Sequence, residues 1–159
     1  MKTKRSWQDK LHDDKDLPKV EPIPAKMHAT WGCGTLLIAA PREVDALMRT
    51  VRKGKVTTID ELRRALAAQH GATITCPMTT GIFANIAARA ADEAEQAGKV
   101  RVTPYWRTLK ARGELNGKFP GGLAVLRSRL EAEGHTVEVR GARMFVVDFA
   151  DKLQPLAAE

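Results

Sequence analysis

Hydrophobic residues recur at helical spacing in four segments of this chain and cluster in strand-like runs in two others. The run Thr35-Leu36-Leu37-Ile38 predicts a short strand. Pro41 then sits at a helix start, followed by Val44, Leu47, Met48 and Val51 on one face. Thr58 and Glu61 have the spacing of a capping box, and Ile59, Leu62 and Leu66 continue as a stripe to Gly71, which predicts a second helix. After Cys76-Pro77, the residues Ile82, Phe83, Ile86, Ala87, Ala90 and Ala94 share a face of a long third helix that stops near Gly98. Leu123, Leu126 and Leu130, between Gly122 and Gly134, predict a fourth. Val137, Val139, Met144, Val146 and Val147 flank Arg140-Gly141-Ala142 as a hairpin. Residues 1 to about 30 alternate charges with Pro18, Pro22 and Pro24 and show neither period, which predicts an extended arm. There is no internal repeat.

Three helices in this order, with a short turn between the second and third, are compatible with a helix-turn-helix whose third helix enters the major groove. A chain of 159 residues, 43% of them hydrophobic, has material for one core and not two. The formal charge of +7 favours polyanionic partners, and its distribution sharpens that expectation. Residues 99 to 129 hold eight bases against the single acid Glu114, while the rest of the chain balances. Nothing approaches the ~20 apolar residues of a membrane span, and the N-terminus lacks a signal-like apolar core, so a cytoplasmic protein is expected. Cys33 and Cys76 stand apart from any pair motif and the four histidines have no ligand spacing, so neither a metal site nor a cofactor is expected.

Gly54-Lys55-Val56-Thr57-Thr58-Ile59 is similar to a Gly-x-Val-x-Thr-Tyr pattern that opens a second helix. Thr103-Pro104-Tyr105-Trp106-Arg107 precedes Leu115-Asn116-Gly117-Lys118-Phe119-Pro120-Gly121-Gly122-Leu123 and a leucine-bearing helix. In order and spacing, residues 35 to 134 resemble the DNA-binding domain of the O6-alkylguanine-DNA alkyltransferases, with their Pro-Cys-His-Arg strand and Gly-Gly-Leu substrate loop. The resemblance implies an α/β, mainly α, winged helix-turn-helix-like single domain, and the C-terminal β-hairpin read from the residues lies outside it. It divides the chain into an arm (1 to 34), the winged-helix domain (35 to 134) and a hairpin with tail (135 to 159). Tyr105 stands at the acceptor cysteine and Trp106 at the histidine. A phenol with a pKa near 10 does not replace a thiolate, so alkyl transfer is not expected, and the resemblance is to alkyltransferase-like proteins that bind damaged DNA without repairing it and recruit other repair factors. Tyrosine and tryptophan together would crowd a pocket built for a flipped base.

The resemblance also implies an arginine on the third helix that fills the gap left by a flipped base, for which Arg89 is the candidate, with a plain surface arginine as the alternative. Thr57 and Thr58 are placed to bind a phosphate at a helix N-terminus, although for Thr58 capping alone accounts for the residue. Thr79 and Thr80 open the third helix, and Asn85 one turn on has the amide that pairs with adenine. Tyr105 and Trp106 are candidates for base stacking or for the core. Set on an alternating strand, at most one of them would line the pocket. Arg107 is expected to bridge to a carboxylate or to backbone. Lys118, Asn116, Gly121 and Gly122 form a loop whose backbone can approach a ligand closely. Cys76 before Pro77 is either a reactive thiol at a helix N-terminus or a small buried residue.

Three functions follow as expectations. The first is a non-catalytic protein that binds double-stranded DNA, damaged duplex included. The second is an enzyme using Cys76 or Tyr105. The third is a winged-helix regulator or interaction module whose base pocket is lost.

Overall fold

Thr58 closes an extended segment (φ −127°, ψ 163°), and its hydroxyl accepts a hydrogen bond from the Glu61 amide at 3.2 Å, so α4 (Ile59–His70) begins where the capping signal places it. The computed structural model describes residues 5–156. The other helices read from periodicity form as well. Pro41 opens α3 (Pro41–Arg49), where the Glu43 carboxylate turns back to accept from the Ala40 amide at 3.0 Å. The long α5 spans Pro77–Gln96, and α6 spans Gly122–Ala132 with Leu126 and Leu130 buried.

The seven strands among the described residues are short. β1 (Lys19–Pro22) pairs antiparallel with β2 (Thr35–Ile38), and β2 pairs parallel with β4 (Ile74–Thr75). β3 (Thr57–Thr58) pairs parallel with β5 (Thr108–Leu109). β6 (Val137–Arg140) and β7 (Arg143–Val146) make the expected C-terminal hairpin. The whole is a mixed α/β fold, mainly helical, around one main core and a small satellite formed by Ile23, Leu36 and Cys76.

Two expectations change. The segment expected as an extended arm carries α1 (Trp7–Leu11), β1 and the one-turn α2 (His28–Trp31). α1 lies on α5 and is held there by tertiary bonds: Glu93 accepts the Trp7 and Gln8 amides at 3.0 and 3.2 Å, and the Gln8 side chain donates to the Ala90 carbonyl at 2.9 Å. Leu11 is buried in the main core, worth about 2 kcal/mol by area. The second change is the buried face of α5. Ala84, Ala87, Ala88, Ala90 and Ala91 point inward and let α1 and α3 approach closely, whereas Ile82 is 57% exposed. Ile82 is left for another surface, and Ile86 is shared between that surface and the core.

Candidate nucleic-acid interface

That surface is an open groove of about 1200 Å³ between α5 and the 116–122 loop. Met78, Ile82 and Ile86 give it apolar walls, and Trp7 stands among its lining residues. Lys10, Arg89, Lys110 and Lys118 surround these, and among the described residues no acidic side chain lines the groove. The arrangement offers cations to phosphates and an apolar surface to sugars and base faces.

The groove keeps its shape through the loop's own chemistry. Gly121 precedes α6 at φ 86°, in the left-handed region, and a Cβ there would meet the Val125 side chain at 2.6 Å. The Asn116 side chain accepts from the Lys118 amide at 3.1 Å and so turns the chain before Phe119 enters the core. Arg89 then reaches across from α5 and donates to the Lys118 carbonyl at 2.9 Å.

Among the residues read from sequence, Asn85, Arg89, Asn116, Lys118, Gly121 and Gly122 meet in this groove. The Oδ1 of Asn85 has no hydrogen-bond partner among the described residues. Others do not come here. Thr57 is fully buried where β3 pairs with β5, and Thr58 is 3% exposed with its hydroxyl spent on the helix cap, so neither presents a phosphate site. Thr79 and Thr80 do not cap α5. Their hydroxyls donate back to the Cys76 carbonyl at 3.4 and 2.7 Å, and Thr80 is 1% exposed. The helix starts two residues earlier than they do, at Pro77.

The largest correction concerns residues 105–107, expected on a strand and found in a 3₁₀ turn. Both aromatic rings therefore pack inward, edge to face with centroids 5.4 Å apart. Tyr105 is 1% exposed, its hydroxyl donates to the Pro120 carbonyl at 3.4 Å, and its ring meets Phe119 edge-on. It fills the space behind the loop rather than lining a pocket. Burial raises its pKa above the ordinary phenol value, opposed in part by Arg129, so the nucleophilic phenolate is suppressed. Trp106 carries the Arg129 guanidinium over its ring at 4.3 Å. Arg107 takes the bridging role expected of it, donating to both oxygens of Glu133 at 2.9 and 2.6 Å and to the Val51 carbonyl at 2.6 Å. Cys76 is 5% exposed beneath β2, which leaves its thiol no route to a substrate.

The basic stretch also divides. Arg107, Lys110, Arg127 and Arg129 pair with Glu133, Glu114, Glu131 and Glu95, and Lys99 and Arg101 line a separate recess near Asp45. The groove draws its charge instead from α1, α5 and the loop. Trp7 and Lys10 were missed from sequence because they lie in the segment read as an arm. Ser6-Trp7-Gln8-Asp9 is the signal that finds them, a capping box observed with Asp9 N to Ser6 Oγ at 3.0 Å. Among the described residues, no helix is long and apolar enough to cross a membrane, and no cluster of three ligating side chains could hold a metal ion.

No protein-family model matches this chain, and neither does any curated protein. Among solved structures, the chain is similar to the crystal structure of S. pombe Atl1 in complex with damaged DNA containing O6-carboxymethylguanine, with 16% identity and a TM-score of 0.49, over 72% of this chain and 93% of that one.

Proposed function

We propose that this protein binds double-stranded DNA without catalysis, holding it in the groove between α5 and the 116–122 loop. The observation that carries the reading is the lining of that groove: Lys10, Arg89 and Lys118, with Lys110 paired to Glu114 at its edge, beside apolar walls, and no acid among the described lining residues. A nucleic acid satisfies both, because its phosphates are charged and its sugars and base faces are not. Lys118, which has no ion pair among the described residues, neutralises a phosphate, and Asn85 is the α5 side chain in the groove with an amide to offer a base edge. In this reading α5 acts as the recognition helix of a winged helix-turn-helix.

Tyr105 and Cys76 have no part in it. The phenol is buried and held protonated, and the thiol is covered. A base turned out of the duplex would meet Gly117, Gly121 and Gly122 of the loop, not the buried phenol. Duplex binding measured by fluorescence anisotropy over a salt series tests the proposal. A steep fall in affinity with salt is expected, with a shallower fall for Lys118→Ala, and an affinity independent of salt overturns the reading. Mass spectrometry after incubation with DNA containing O6-methylguanine is expected to show no adduct; a stoichiometric mass gain would return the protein to the enzymes.

A further inference from the structure

β7 does not end its pairing at β6. Its other edge meets the segment before the groove loop: Glu114 and Phe145 form an antiparallel bridge, the Leu115 amide donates to the Met144 carbonyl at 2.8 Å, and the Val146 amide donates to the Gly113 carbonyl at 2.9 Å. Continuing that register one residue past Leu115 sets Arg143 alongside Asn116, the first residue of the groove loop. Strand alternation then decides the faces. Met144 packs against the core and Val146 is buried, so Arg143 and Phe145 face outward, with Arg140 opposite Arg143 and Glu138 opposite Phe145.

The hairpin's free end is therefore basic and fixed in place. Gly141 takes φ 60° in a turn of two residues, as the first central position of a II′ turn requires. The Arg140 guanidinium lies 4.7 Å from the Phe145 ring centroid and bonds Glu138 at 2.8 Å, which sets its direction. Arg143 is exposed and has no ion pair among the described residues. The strand pairing thus ties the groove loop to a hairpin tip that carries Arg143, with no ion pair among the described residues, and Arg140, which is paired with Glu138.

We infer that the C-terminal hairpin is a second DNA-contacting element, whose Arg140 and Arg143 grip the duplex backbone beside the stretch held in the groove. The inference rests on the proposed function of the groove and extends its footprint. Neither arginine supports the core, so their replacement separates binding from folding. For Arg140→Ala/Arg143→Ala, the slope of log affinity against log salt on an undamaged duplex of about two helical turns should fall by about 1.8, two phosphate contacts' worth. The double lysine variant should retain most of the slope, and the thermal midpoint of both should stay near wild type. Hydroxyl-radical footprinting should show the alanine variant losing one flank of the protected stretch. If Lys118→Ala weakens binding while the hairpin variant keeps both slope and footprint, the hairpin does not touch DNA and the groove reading stands. If the unaltered protein shows no salt-dependent duplex binding, the groove reading fails and this inference with it.

Discussion

Arg89 and Lys118 lie 29 positions apart, and the guanidinium of the first donates to the main-chain oxygen of the second at 2.9 Å. One cation therefore holds the groove closed at that point while the other keeps its ammonium free of protein partners among the described residues. Replacing either weakens duplex binding, by different routes. Lys118→Ala lowers the salt slope by about 0.9, one phosphate contact, and leaves stability unchanged. Arg89→Ala also loosens the loop, so hydrogen exchange at residues 116–122 rises in the Arg89 variant and not in the Lys118 variant.

Gly121→Ala tests whether the loop's conformation matters. An L-residue at φ 86° costs about 1–2 kcal/mol, and the Val125 side chain blocks the new methyl. Denaturant midpoints should fall, and duplex affinity should fall at all salt concentrations without the slope changing, since no charge is lost.

Arg107 and Glu133 form a pair that is 14% and 9% exposed. Arg107→Ala strands a buried carboxylate and the Val51 carbonyl, so about 3 kcal/mol of stability is lost. Arg107→Met with Glu133→Leu removes both charges and should cost clearly less, a difference read from urea unfolding of the two variants.

His135 is 5% exposed, and neither ring nitrogen has a partner among the described residues. Burial lowers its pKa; Lys152 and Arg107 push the same way and Glu133 opposes them. The folded state thus favours the neutral ring. Its contribution to stability is present above the ordinary value of 6.5 and is lost as pH falls through the depressed folded value. His135→Gln should flatten the acid side of the stability profile below the ordinary value of 6.5. Tyr105 is the mirror case: its pKa is raised, so its contribution holds below pH 10 and disappears as pH rises through the folded value, and Tyr105→Phe should flatten the alkaline side.

The sequence reads well where structure is local. The caps at Thr58 and Pro41, the leucine stripe of α6 and the turn at Gly141 each sit within a few residues of what they organise, and all four form. It reads poorly where a distant segment decides. α1 has five residues, too few to be stable alone, and exists because Glu93 binds its free amides and Leu11 finds the core. Thr57 becomes inaccessible through β5, some fifty positions away, and no local pattern announces that pairing. Tyr105 turns inward because the chain after Pro104 makes a 3₁₀ turn in place of a strand. The candidate site follows the same division. Its loop and the polar face of α5 are legible, whereas Trp7 and Lys10 arrive by tertiary docking and Ile82 is freed by the alanines that pack in its stead.

The pairing of Val56 with Leu153 joins the segment before α4 to the last described turn, through bonds from the Val56 amide to Lys152 and from the Gln154 amide to Val56. The burial of Val56 thus depends on a segment nearly a hundred positions further along the chain, a contact of high sequence separation whose loop-closure cost must be met before the segment ahead of α4 is fixed.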